Sequence, residues 1–194
     1  MIYAILFVGI VISAYYHRLL SHRSWPCPLW LERLMGIIVA GHLLTPAISW
    51  VAVHKKHHRY SDTDQDVHGP RKGHIKNLLI SYYDVELKYA GKSILSDKFY
   101  QFQLKYYWHI AIVWSTFWIV LFGWQSWVII GAYGYAGQVC LNWIGHNKQK
   151  AVNRSFLAPI LGGETYHLNH HLNPKASCFG TLDFPYLLFI KWFK

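Results

Sequence analysis

The sequence predicts an all-α integral membrane protein: a short transmembrane helix bundle with a cytosolic helical cap that holds a histidine-rich di-metal site. Three observations carry that prediction. Of the 194 residues, 53% are hydrophobic and 14% charged, which is lean in charge for a soluble domain. Nine of the 13 histidines fall into four short clusters that flank uncharged stretches. All 19 Lys and Arg residues lie outside the three segments expected to cross the membrane, at 1–16, 106–122 and 126–145. The length suits one domain, residues 1–194, with the cap formed by 17–105 and 146–194.

Met1–Tyr16 is apolar and uncharged and lacks the basic start of a secretory signal. As a helix it covers about 24 Å, slightly short of a hydrocarbon core of about 30 Å. His17 and His22 follow, five residues apart. On an ideal α-helix they lie about 140° apart, so both reach one point only if the helix ends or bends there. Pro26 and Pro28 then mark a loop. Leu34–Val53 is a second uncharged stretch, and hydropathy alone reads it as a span. A crossing would separate His17 and His22 from His54, His57 and His58 by the whole bilayer. Pro46 and the polar His42, Thr45 and Ser49 also weaken a plain span. The expectation is a helix along the membrane face, or a buried helix that returns to the same side.

Residues 59–105 are polar. The acids of Ser61–Asp66 read as turn and cap chemistry, and helices are expected over Asn77–Tyr89 and Ser96–Tyr107. No Lys, Arg, Asp or Glu occurs between Lys105 and Lys148, which leaves room for two crossings of about 20 residues each. Gly123–Ser126 is the natural hairpin, and Trp118, Trp124 and Trp127 supply an aromatic belt. Gly131, Gly134 and Gly137 allow close helix packing. The positive-inside rule places the side that carries every Lys and Arg, and with it the histidine clusters, in the cytoplasm. The tail, Thr181–Lys194, is expected at the membrane interface or against the core.

The net charge of +10 is spread along the chain and not gathered into an arm or one helix face. That excludes nucleic acid as the natural partner and fits a surface of membrane lipid. Cys27, Cys140 and Cys178 form no CxxC pair and read as buried reduced thiols. Asn153–Ser155 matches a glycosylation sequon, a pattern too common to carry weight.

The chemistry lies in the histidines. His54, His57 and His58 stand at i, i+3 and i+4, one face of a helix, so their nitrogens can converge. His167, His170 and His171 repeat that spacing, and His146 follows Asn142 by four. Neutral imidazole is the commonest protein metal ligand. Nine are far more than one four-coordinate structural site uses. An all-nitrogen set suits iron, copper, nickel or zinc; zinc needs only four ligands and has no redox chemistry. His42, His68, His74 and His109 have no partner at ligand spacing and are left out of the set.

With all four clusters in view, the chain resembles the membrane-bound fatty-acid desaturases of the acyl-CoA and acyl-lipid Δ9 type. The resemblance rests on His17–Ser24, on Trp50–Asp62 with Asp66 and His68 after it, on Asn142–His146 and on Glu164–His171, in that order. It implies that His17, His22, His54, His57, His58, His146, His167, His170 and His171 hold two iron ions, with Asn142 acting through a water. It implies O2 as co-substrate, a fatty acyl-CoA or acyl-lipid substrate, and a cis double bond near the middle of a saturated chain. No haem or flavin segment is recognisable, so electrons are expected from a separate donor of ferredoxin or cytochrome b5 type.

Three features depart from the family pattern. Only Met1–Tyr16 precedes the first cluster, where the family has two helices; Leu168 stands where the family has Asn, with Asn169 one place later; and the C-terminal region is short. Glu164 and Asp66 are candidates to orient ligand imidazoles. Trp50, one turn before His54, is a candidate lining residue of an acyl tunnel. Two other classes remain open on the residues alone. A lipid or alkane hydroxylase would use the same histidines, and a membrane metal transporter would set its ligands at mid-bilayer.

Overall fold

A computed structural model describes residues 2–42, 44–68, 86–147 and 150–193, and they are mostly helical. Helix α1 (Ile2–Val8) continues without a break into a π-helix, Gly9–Ser21. Among the described residues Ile2–Ser21 is the one helix long and apolar enough to cross a membrane, and 56% of its apolar window is buried inside the protein. The π geometry resolves the spacing problem of the first cluster. Its i→i+5 hydrogen bonds bring residues five apart towards one face, so His17 and the capping His22 converge, ring centroids 5.2 Å apart.

Leu34–Val53 is not one helix. Helix α2 (Leu29–Ala40) ends at Gly41, and α3 (Ala47–Tyr60) starts after Pro46. Proline disfavours helical geometry in the residue before it, and Thr45 takes φ +79°, which is rare for a β-branched residue. Two tyrosines hold this turn. Tyr16 donates its hydroxyl to the Thr45 carbonyl, and the Thr45 N–H donates to the Tyr107 hydroxyl at 2.9 Å. Gly41 is required by close approach: a Cβ there would lie 1.5 Å from the Trp114 ring. Trp127 Nε1 donates to the Gly41 carbonyl at 2.8 Å. The break lets α3 pack back on the π-helix, so His54 returns to His22, their Nε2 atoms 2.8 Å apart.

Of the helix expected over Asn77–Tyr89, residues 77–85 lie outside the described residues; Leu87–Ala90 is a 3₁₀ turn. The next expected helix, Ser96–Tyr107, is α5 (Lys98–Lys105), preceded by the single turn α4 (Lys92–Leu95) and capped by Asp97, which accepts from Phe99 N–H at 2.9 Å. Helices α6 (Tyr107–Phe122) and α7 (Trp124–Ile144) form the hairpin, turning at Gly123 with φ +82°. Gly134 receives Ile12 and Leu44, each 3.2 Å from where a Cβ would stand, so α7 lies against the first helix and the turn after α2. The outer faces of the hairpin expose Ile112, Val113, Val120 and Trp143. The fold is not wholly helical: β1 (His146–Asn147) and β2 (Lys150–Ala151) form a small antiparallel pair. Short helices α8 (Ala158–Leu161), α9 (His167–Leu172) and α10 (Phe184–Leu188) complete the chain. The tail packs on the core, with Ile190 fully buried and Phe189 and Phe193 against Trp25. Against the expectation of three buried thiols, Cys178 is exposed and Cys27 and Cys140 are half-buried.

One ion-pair network ties the ends of this fold together. Arg18, with no exposed surface, donates to Asp183 at 2.8 Å, to the Ser177 carbonyl at 2.7 Å and to Glu164 at 2.9 Å. Removing one partner of a buried pair costs about 3–5 kcal/mol, because the other charge stays behind. Asp183→Ala is therefore expected to lower the thermal unfolding midpoint well below that of Leu182→Ala at the exposed neighbouring position.

Candidate metal centre

Two groups of imidazole nitrogens converge beneath α3 and α9. His17, His22, His54, His58 and His170 form one, and His57, His146, His167 and His171 the other, each with one ligand atom per residue within 4.8 Å of the rest. The i, i+3, i+4 spacing works as helical geometry requires, but each triplet is shared out. His54 and His58 of α3 face the first group and His57 the second; His170 of α9 faces the first, and His167 and His171 the second. The groups adjoin through the stacked rings of His58 and His171, 4.6 Å apart.

Three carboxylates stand behind the rings. Glu164 meets His17 Nδ1 at 2.5 Å, Asp66 meets His57 Nδ1 at 2.8 Å and Asp62 meets His146 Nδ1 at 2.9 Å. Each holds the proton on Nδ1 and leaves the Nε2 lone pair pointing inward. These inward nitrogens then meet others at short range. His17 and His170 Nε2 are 3.0 Å apart, His57 and His171 Nε2 3.3 Å, and His146 and His167 Nε2 2.9 Å. Not every nitrogen in such a cluster can be donor and acceptor in turn, and a cation between the lone pairs satisfies them together. The donor set fits two metal ions, one per group.

Burial holds His22, His54, His58, His146, His167, His170 and His171 below the ordinary imidazole value, which favours the neutral, ligand-ready form of these rings. Burial, then the neighbouring His17, lowers His22 to about 2; burial, then His57 and His146, lowers His171 to about 3. His54, His167 and His170 are held well below the ordinary imidazole value, burial again leading. For the carboxylates burial works the other way. Charge from His17 and Arg18 outweighs it at Glu164, and the His57 hydrogen bond outweighs it at Asp66, so both are held below their ordinary values.

The first group borders a narrow cavity of 60 Å³ lined by Trp50, Gln138, Leu141, Asn142 and Glu164 among others. Asn142 thus lines the same cavity as His17, His54 and His167. Trp50 donates its Nε1 hydrogen to Gln138 at 2.8 Å and stacks on His54. Of the histidines left out of the set, His68 packs on His57 at 5.4 Å but joins neither group, His42 lies between Phe7 and Trp118, and His109 is exposed. His74 lies outside the described residues.

The family model for fatty acid desaturase matches residues 1–182. The chain belongs to the fatty acid desaturase family. Its relatives include the sn-1 stearoyl-lipid 9-desaturase of Anabaena variabilis, 33% identical over 183 residues, which are 84% of this chain and 66% of that protein. The Delta-9 desaturase-like 3 protein of Arabidopsis thaliana is 30% identical over 80% of this chain and 58% of its own length. The acyl-CoA C20 Delta5-desaturase of Anemone leveillei is 29% identical over 80% of this chain and 56% of its own. The desaturase-family chain therefore spans a little over half to two thirds of the relatives it matches.

Four participants were not legible in the sequence. Asp62 was read as loop chemistry and instead holds His146, its backbone at φ +64° turning the side chain to the ring. Ser13 donates to Glu164, Arg18 anchors the same carboxylate, and Gln138 braces Trp50. Asp66 does both jobs, accepting from the N–H of Asp62 and of His68 while holding His57. The departure at Leu168 has a local account. Asn153 accepts from the N–H of Leu168 and of Asn169, opening α9, while Leu168 points outward.

Proposed function

We propose that this chain is a membrane di-iron fatty-acid desaturase that places a cis double bond, at or near the ninth carbon, in a saturated acyl-CoA or acyl-lipid chain. The observation that carries the reading is the pair of nitrogen groups, five and four imidazoles, with three rings held by carboxylates, beside a narrow cavity. His17, His22, His54, His58 and His170 would hold one iron, and His57, His146, His167 and His171 the other, with Asn142 next to them. Bound iron supplies O2 activation and, with two electrons, the power to take hydrogen from an unactivated methylene. The protein's part is to keep the rings neutral, fix their directions and exclude water. Positioning decides between a second hydrogen abstraction, giving an alkene, and oxygen delivery, giving an alcohol. The braced Trp50–Gln138 pair supplies a fixed wall for that purpose.

A second cavity, of 40 Å³, shares Ile12, Ser13, Gln138, Leu141 and Glu164 with the first and runs on past Gly134 and Gly137 between the first helix and α7. It marks the line on which an alkyl chain would lie. Both volumes are small, so chain entry requires the first helix and α7 to part along the glycine seam. Electrons would come from a ferredoxin or cytochrome b5-type donor. Elemental analysis of the purified chain tests the metal: two irons per chain support the reading, and zinc or copper in their place opposes it.

The membrane placement belongs to the same proposal. The first helix up to Tyr16, α6 and α7 would cross, with the histidines on the cytoplasmic face. Support comes from the exposed apolar residues of α6 and α7, among them Ile112, Val113, Val120 and Trp143, since a large exposed apolar patch marks a membrane or partner surface. Lys and Arg are absent from all three helices except Arg18, which is paired and buried. Cysteines placed by Pro28→Cys and Gln65→Cys are expected to react with an impermeant thiol reagent from one side of the membrane, and one placed by Gln125→Cys from the other. Labelling of Pro28→Cys and Gln65→Cys from opposite sides would contradict both the topology and the shared site.

A further inference from the structure

An unbroken run of oxidisable rings leads away from the histidines. Trp50 stacks on His54, centroids 5.0 Å apart and planes within 20°. Tyr16 stacks on Trp50 at 5.3 Å and 16°, and Tyr15 on Tyr16 at 5.4 Å and 28°. The Tyr15 hydroxyl meets that of Tyr100 at 3.3 Å. Tyr100 in turn donates to Glu32 Oε1 at 2.6 Å, and Arg23, about half exposed, reaches the other Glu32 oxygen at 3.2 Å. The three tyrosines are fully buried and Trp50 nearly so.

Stacked aromatics are commonly core packing, and two features set this run apart. Packing alone would be served by phenylalanine, without the cost of burying hydroxyls. The proton acceptors are also graded. Tyr16 donates to a backbone carbonyl, a poor base, and the Tyr15 hydroxyl donates to another phenol, whereas Tyr100 donates to a carboxylate. Burial and the Glu32 bond keep the Tyr100 phenol protonated. The Arg33 guanidinium, 4.9 Å from the ring and tied to Asp97 at 2.6 Å, disfavours a cation radical on Tyr100. Loss of an electron from this ring must therefore be joined to loss of its proton.

We propose, resting on the two-metal reading above, that Trp50, Tyr16, Tyr15 and Tyr100 form an electron relay that discharges the oxidised metal centre when no acyl chain is in place. One electron leaves Tyr100 and passes inward through Tyr15, Tyr16 and Trp50 to the centre, which is reduced by one electron. The Tyr100 O–H bond breaks, its proton goes to Glu32 Oε1, and a neutral tyrosyl radical stays on Tyr100. A one-electron donor of the class that serves the main reaction then restores the phenol, the proton returning from Glu32. The relay spares Trp50 and the ligand rings from damage during turnovers without substrate.

The test uses the full chain, loaded with ferrous iron, exposed to O2 without acyl lipid, frozen and measured by electron paramagnetic resonance. A tyrosyl signal that narrows with ring-deuterated tyrosine is expected. In Tyr100→Phe that signal should be lost, and peptide mass spectrometry should find several-fold more oxidised Trp50. Desaturation with substrate present should be unchanged in that variant. Glu32→Gln keeps the shape and removes the base, so it should lower the radical yield several-fold even where Tyr100→Phe folds poorly. Bound iron and consumed O2 with no protein radical, or the same radical in Tyr100→Phe, would overturn the relay and leave the desaturase reading standing. Failure to bind iron at all would overturn both.

Discussion

His57→Ala is expected to reduce product formation to background and to remove the metal from the group of four. His57 is 1% exposed and supplies one of only four nitrogens there. The substitution takes away a ligand and also the ring partner of the buried Asp66, which keeps only the backbone N–H groups of Asp62 and His68. Metal affinity depends on a complete set of deprotonated ligands, so three remaining imidazoles should not hold the ion against dilution. The loss is expected without loss of membrane insertion, since no apolar face is touched. His68→Ala is the matched control, because His68 packs on the same ring and belongs to neither group. It should keep both metals. Full metal content and activity in His57→Ala would remove the basis for the assignment.

Glu164→Gln is expected to have the next largest effect, about 10–100-fold in metal affinity or activity, the usual cost of losing the partner behind a ligand imidazole. The amide keeps the volume and can still accept from Arg18 and Ser13, so folding should survive. It cannot hold the proton on His17 Nδ1 with a full charge, and its NH2 end competes for the same place. Asp62→Asn should act in the same direction but less, because Asp62 is 22% exposed where Glu164 is 14%, and water can replace part of its role at His146. An effect of Asp62→Asn as large as that of Glu164→Gln would mean that exposure does not govern these carboxylates. Metal titration of the three proteins at one pH gives the comparison.

The histidines were legible as ligands because helical periodicity puts i, i+3 and i+4 on one face, but the sharing of each triplet between two groups was not foreseen. The sequence also posed a correct question at His17 and His22, whose spacing of five fits no α-helix face. The expectation was a helix that ends or bends there; the structure has a π-helix that ends at Ser21, with His22 as its cap. The expectation that Leu34–Val53 is no plain span came from the chemistry of the site. The structure breaks the stretch into two helices, and the physical cause lies in Gly41 to Pro46. There a ring against Gly41 and the geometry before proline break the helix. What stayed hidden is long-range. Asp62 sits in a run rich in turn residues, where local capping explains every acid until His146 is brought alongside from α7. Arg18 and Asp183 are far apart in the chain, and nothing in either neighbourhood announces their pairing. The small β1–β2 strand pair is too short to leave a period. Apolar exposure and charge distribution support the proposed crossing by the first helix, α6 and α7.

The most direct test of the desaturase reading is product analysis. The chain is expressed in a host lacking its own desaturase, with a compatible electron donor, and total fatty acids are measured. Monounsaturated chains with a cis double bond near the ninth carbon are predicted, absent from the His57→Ala control. Hydroxy acids in their place, or no new product from protein shown to hold reduced iron, would contradict it.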